Sequence, residues 1–132
     1  MSNEIVNTFL QNMADTATAM ELDAHLNLIS KDVQLLGFPG FDVINFNDWA
    51  TQCKREFAEG FIKDVSYEGL KIITQTEKRI MFKTIELVEA TDGTKNIMGI
   101  EVVIEQEQDN QWRITRERIL PVDEVKQDKS TS

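Results

Sequence analysis

Twenty-three Asp and Glu residues against a single His and a single Cys set the chemistry open to this chain of 132 residues. A zinc site would need an unusual shell made of carboxylates, and no Gly-x-Ser-x-Gly elbow, phosphate-cradling Gly-rich loop or dinucleotide fingerprint is present. Carboxylate chemistry remains. In an apolar cavity, burial raises an acid's pKa toward neutrality and lets it act as a general acid or base. Glu86 alternates with Ile80, Phe82, Thr84 and Val88, so it shares their strand face and either points into a cavity or, near a strand end, is merely exposed. His25 stands beside Leu22 and Leu26, as a proton carrier at a cavity mouth or as a hydrogen-bonded helix histidine. Glu117 sits between Arg116 and Arg118, an alternation that reads as a solvated cross-strand charge ladder. Cys53, a helical turn from Trp49 and Phe57, reads as a buried small apolar residue rather than a reactive thiol.

Helices and strands must position these groups. Ile5, Phe9, Met13 and Ala17 recur every four residues and predict a first helix, with Val6 and Leu10 widening its stripe. Leu22, His25, Leu26 and Ile29 predict a shorter second helix that ends near Ser30-Lys31-Asp32, and Val33 to Leu36 predict a brief strand cut by Gly37 and the Phe38-Pro39-Gly40-Phe41 turn. Asn45 or Asn47 caps a third helix bearing Trp49, Cys53 and Phe57 on one stripe, and Gly60 closes it. From there β-branched and aromatic alternation predicts four strands, Val65 to Thr76, Arg79 to Glu89, Lys95 to Gln106 and Gln111 to Leu120, joined by breaks short enough for hairpins. In the third of these, Met98, Ile100, Val102 and Ile104 share the core face. Helices first and a strongly bent antiparallel sheet last make an α+β fold in which the sheet curls around a helix and leaves a cavity at its wide end.

Length and composition fit one domain, 1–121, followed by a polar tail, 122–132, expected to be mobile. Lys and Arg total 14, for a net charge of −9, and the one dense basic run, Arg113, Arg116 and Arg118, holds Glu117 inside it. Nucleic acid and anionic membrane are therefore not expected as partners. The first residues lack a basic region followed by an apolar run, and no apolar stretch approaches a membrane span, so a cytoplasmic protein is expected.

Three helices with a short strand between the second and third, then four long strands ending in Gln111-Trp112-Arg113-Ile114-Thr115, resemble the nuclear transport factor two-like superfamily. That group includes the ketosteroid isomerases, the limonene epoxide hydrolases and the SnoaL-like polyketide cyclases. The resemblance covers Asn3 to Pro121 and rests on element order, Ser30-Lys31-Asp32-Val33, the Phe38-Pro39-Gly40 turn and the Trp-Arg-Ile of the last strand. It implies that Asp32 occupies the place where relatives keep a proton-moving carboxylate, although an Asp at a helix-to-strand junction also commonly bonds its own backbone. The isomerases use a tyrosine on the first helix, whereas this chain has only Tyr67, at the start of a strand. The epoxide hydrolases use an Asp-Arg-Asp set whose Arg and second Asp have no evident counterpart here. The cyclases keep an acid near the end of the sheet, where this chain offers Glu117.

The expectation is a cone that binds a small, mostly apolar molecule without a cofactor or metal. Proton-transfer or hydrolytic chemistry would fall to Asp32, assisted by His25 or Glu86. Phe38, Phe41, Trp49, Tyr67, Met98 and Ile100 would wall the pocket. A homodimer through the exposed sheet face is expected, as in many relatives. The alternative is a non-catalytic interaction module that uses the sheet for self-association or for a protein partner.

Overall fold

The computed structural model describes residues 2–38 and 40–121, with the side chains of Ser2 and Asn3 left aside. Pro39 and the tail expected from residue 122 lie outside the described residues. Three helices, α1 (Ser2–Thr18), α2 (Leu22–Leu26) and α3 (Phe46–Glu59), accompany five strands: β1 (Ile29–Leu36), β2 (Ile62–Gln75), β3 (Arg79–Ala90), β4 (Lys95–Gln106) and β5 (Trp112–Ile119). The strands form one sheet in the order β1-β5-β4-β3-β2, a meander of antiparallel neighbours closed by a parallel β1–β5 pair. Among the described residues no helix is long and apolar enough to cross a membrane.

The sheet curls, and the apolar stripe of α1 fills its hollow. Val6, Phe9, Leu10 and Met13 pack with Ile29, Val33, Ile80, Phe82, Ile100, Val102, Ile104 and Ile114 into one buried cluster. Register shifts in β2 mark where that strand bends, one of them at Gly69, whose φ of +70° a residue with a Cβ adopts only under strain. The Asn45 side chain accepts from the Asp48 N–H to open α3, and Gly60 closes it at φ 65°, as the capping signals predict.

One boundary departs from the sequence reading. The second helix stops at Leu26, and Ile29 to Asp32, expected as its end, already belong to β1. A helix of five residues has too few internal hydrogen bonds to sustain itself. The Ile114 N–H bonds to the Leu28 carbonyl, which starts the parallel pairing and draws this segment into the sheet. At its other end β1 passes so close to β5 that a Cβ on Gly37 (φ +82°) would lie 2.6 Å from the Ile119 carbonyl oxygen. Glycine is required there on two counts.

Candidate functional site

Cross-strand register decides which side chains meet inside the cone. Tyr67 on β2 faces Glu86 on β3, which faces Met98 on β4, and the Tyr67 hydroxyl donates to Glu86 Oε2 at 3.0 Å. Glu86 shares the face of Phe82, a core residue, so it turns into the cone; of its two sequence readings, the inward one describes its position. From the other side of the sheet comes Glu117 of β5, paired with the core residue Val102. Only 8% of Glu117 is exposed, and that part includes its oxygens: no hydrogen bond to them is made among the described residues, and no fully buried side-chain oxygen is left without a partner.

Glu117 faces inward because β5 carries one extra residue. Ile104 pairs with Ile114 but the preceding Val103 pairs with Arg116, so Thr115 is squeezed out of register. Side chains alternate with a period of two, and one inserted residue therefore flips everything after it to the opposite face. Ile114 and Glu117 thus share the core side although three positions separate them. Regular alternation makes Glu117 part of a solvated ladder. The ladder exists, but its members are Lys83 and Arg118 flanking Glu101 on the far face of the sheet, with Arg118 Nη2 at 3.2 Å from Glu101 Oε2. The only sequence signal for an inward Glu117 is the resemblance to cyclases with an acid near the sheet's end.

Helix α3 covers the acids. Its stripe of Trp49, Cys53 and Phe57 faces the sheet, Trp49 packing on the main core and Phe57 on the small cluster of Ala14, Ala17 and Val65. Burial drives the titration of the whole group. It pushes Glu117 up to about 8, with the Glu86 charge adding to the shift. Glu86 is also raised by burial, partly offset by the Tyr67 hydroxyl, and the neighbouring Glu56 of α3 adds to it. Tyr67 is held well above its usual range by burial and then by Glu86 and Glu117. The Cys53 thiol is pushed to about 12, first by burial and then by Glu56. A thiol so hard to ionise is a packing residue, not a nucleophile. Two carboxyl groups that disfavour each other's charge make a site able to hold a proton near neutral pH.

The remaining expected site residues lie elsewhere or act differently. Asp32 is exposed, on the strand face opposite the buried Val33, beside an open polar groove of about 900 Å³ shared with Ser30, Gln34, Thr115 and Arg116. Its backbone N–H donates to Ser30 Oγ at 3.1 Å, so the turn bond here is made by the serine side chain, and the Asp32 carboxylate does not join Glu86 and Glu117. His25 is buried, with Nδ1 2.8 Å from Thr16 Oγ1 and its ring 5.5 Å from that of Phe57. Burial lowers its pKa to about 4, so at pH 7 it is a neutral packing residue rather than a proton carrier. Ile100 lies fully in the core, and Met98 packs against it. Phe38 and Phe41, 42% and 61% exposed with rings 5.8 Å apart, leave the sheet at the end where the acids lie. Among the described residues no group of three or more His, Cys, Asp or Glu side chains is placed to hold a metal ion.

No family model and no curated protein matches the sequence. Solved structures do match in shape. An NTF2-like protein from Cytophaga hutchinsonii superposes with a TM-score of 0.76 at 7% identity, covering 92% of this chain and 99% of that one. An NTF-2 like protein of unknown function from Shewanella oneidensis gives 0.75 at 13% identity, covering 90% and 98%. A protein named as a candidate scytalone dehydratase from Novosphingobium aromaticivorans gives 0.70 at 11% identity, covering 89% and 82%. Identities this low speak for shape alone. The curled sheet, its strand order and these likenesses together show that the chain has the α+β cone fold of the nuclear transport factor two-like proteins.

Proposed function

We propose that the chain binds a small, mostly apolar molecule inside the cone and moves a proton on it with Glu86 and Glu117. The observation that carries this reading is Glu117, a buried carboxylate with no donor among the described residues, beside a second carboxylate held by a tyrosine hydroxyl. A nearly buried acid short of donors destabilises the fold, and such groups concentrate where a ligand or a reaction uses them. Near neutral pH Glu117, with a pKa of about 8, carries the proton, and Glu86, whose rise by burial the Tyr67 hydroxyl partly offsets, is the acid of the pair to accept one. Glu86 takes a proton from a carbon next to a carbonyl, while the Glu117 carboxyl gives its proton to that carbonyl oxygen. Isomerisation, cyclisation and loss of water from a hydroxy ketone are all reactions that begin this way, and the name of one structural neighbour points to the last of these. Tyr67, Trp49 and Met98 enclose the ligand, and Phe38 and Phe41 form an apolar lip.

The test is a thermal-shift screen against steroids, terpenoid epoxides, aromatic polyketides and fatty acids, since binding to the folded state raises Tm by mass action. Any enolisable ketone that shifts Tm is then followed for uptake of solvent deuterium. Wild type and Asp32→Asn should exchange alike, and Glu86→Gln should lose at least ~100-fold. Equal exchange by Glu86→Gln, or a loss confined to Asp32→Asn, would overturn the assignment.

A further inference from the structure

Charge in the cone is one-sided. Around the hollow, β3 contributes Glu86, β5 Glu117, β2 Tyr67 and α3 Glu56 and Cys53, while the titratable group of α2, His25, stays neutral near pH 7. The residues that β4 places on this face, Met98, Ile100 and Val102, carry no charge, and α1 has no Lys or Arg at all. The nearest cations of the enclosing elements go elsewhere. Lys31 of β1 and Lys54 and Arg55 of α3 are exposed, and Lys83 and Arg118 stand with Glu101 on the opposite face of the sheet. Among the described residues, no cation pairs with Glu86 or Glu117.

From this arrangement, and resting on the reading of the cone as a ligand site, we infer that the interior selects an organic ammonium ion: an apolar body carrying one protonated nitrogen. Glu117 has acceptor capacity that nothing in the described chain uses, and a buried carboxylate with free lone pairs is matched by a charged N–H donor better than by a neutral one. Trp49 on α3 and Tyr67 on β2 supply aromatic faces, to which a cation is attracted and an anion is not. A carboxylate or phosphate ligand would add a negative charge beside two acids that already disfavour each other's ionisation, so anions are rejected. The net charge of −9 acts in the same sense, raising the local concentration of cations near the protein and lowering that of anions. Binding of the cation favours the ionised acids, so it releases a proton and strengthens as pH rises toward 8.

Three probes with one apolar body separate the possibilities: 1-naphthylmethylammonium, 1-naphthalenemethanol and 1-naphthoate, titrated calorimetrically into the full chain between about pH 6 and pH 8.5. The ammonium ion should bind at least ~10-fold tighter than the alcohol at pH 8, with naphthoate weaker than either. Its affinity should rise with pH, and its heat should depend on the buffer because a proton is released. Glu86→Gln and Glu117→Gln should each erode the ratio of ammonium to alcohol affinity at least ~5-fold, with a cooperative urea unfolding transition showing that each variant is folded. Alcohol binding equal to or tighter than that of the ammonium ion, or a preference that survives both substitutions, overturns the inference and leaves the ligand-binding cone standing. If none of the three probes binds, the inference and the cone's role as an apolar site fail together.

Discussion

The two ends of the cone handle acidic side chains in opposite ways. At one end, where β1 and β5 begin and β4 ends, Arg113 is surrounded by partners. Its Nε donates to the Asn27 carbonyl at 2.8 Å, Nη1 to Glu107 and Asp109 at 3.0 and 2.9 Å, and Nη2 to Asn27 Oδ1 and Asp109 at 3.0 and 2.8 Å. Ser30, itself buried, donates to the other Glu107 oxygen at 2.8 Å. There the guanidinium holds Asp109 below the ordinary carboxylate range. Toward the other end Glu86 and Glu117 have one hydroxyl between them and are both pushed up. A polar network in which every donor and acceptor is used ties loops together; acids left short of donors make the fold less stable and keep their protons for a ligand. The contrast supports reading one end as structural and the other as the proposed ligand site.

The largest test of this contrast is Glu117→Gln. Its carboxyl has a folded pKa of about 8 against an ordinary 4.5, so its stabilising contribution is complete below about pH 4.5 and is lost as pH rises through 8. Wild-type stability measured by urea denaturation should fall across that window relative to the variant, and in absolute terms between about pH 6.5 and 8, because His25, with a pKa of about 4, titrates in the opposite sense below its ordinary 6.5. The variant should show a shallower slope, since Glu86 is the raised acid that remains, and be more stable than wild type at pH 8.5, by roughly 2–4 kcal/mol. Arg113→Met comes next and should cost about 2 kcal/mol by the same measurement, because it leaves Glu107 and Asn27 short of donors. That loss should leave the slope between pH 4.5 and 8 intact, and an altered slope would mean that the two ends are not independent. Tyr67→Phe is the smallest change, about 1 kcal/mol. Without the hydroxyl, Glu86 should titrate higher, visible as an upward move of its carboxyl carbon resonance in a pH series, and no move would remove Tyr67 from the site.

Periodicity alone was enough for most of the architecture. The stripe of Ile5, Phe9, Met13 and Ala17, the Asn45 cap with the Gly60 stop, and the four alternating segments all reflect local physics: which face is apolar, which residue can bond a free N–H, which can take a positive φ. The start of β1 was not legible, since Leu26 and Ile29 satisfy helical spacing and only the distant Ile114 N–H draws the segment into the sheet. Asp32 then falls inside a strand, on its exposed face, where the resemblance to the isomerases had made it the leading acid. Glu86 was half legible, its face given by alternation and its enclosure by α3 only in three dimensions.

Glu117 shows where the boundary lies. Residue types and spacing by themselves determined that the chain makes an α+β cone with carboxylate chemistry at hand and few other reactive groups, because side-chain inventory and local periodicity are properties of short stretches. Which acids meet inside was decided by tertiary structure, because facing depends on pairing register. One extra residue at Thr115, invisible until β5 lies against β4, turns Glu117 from solvent to the interior.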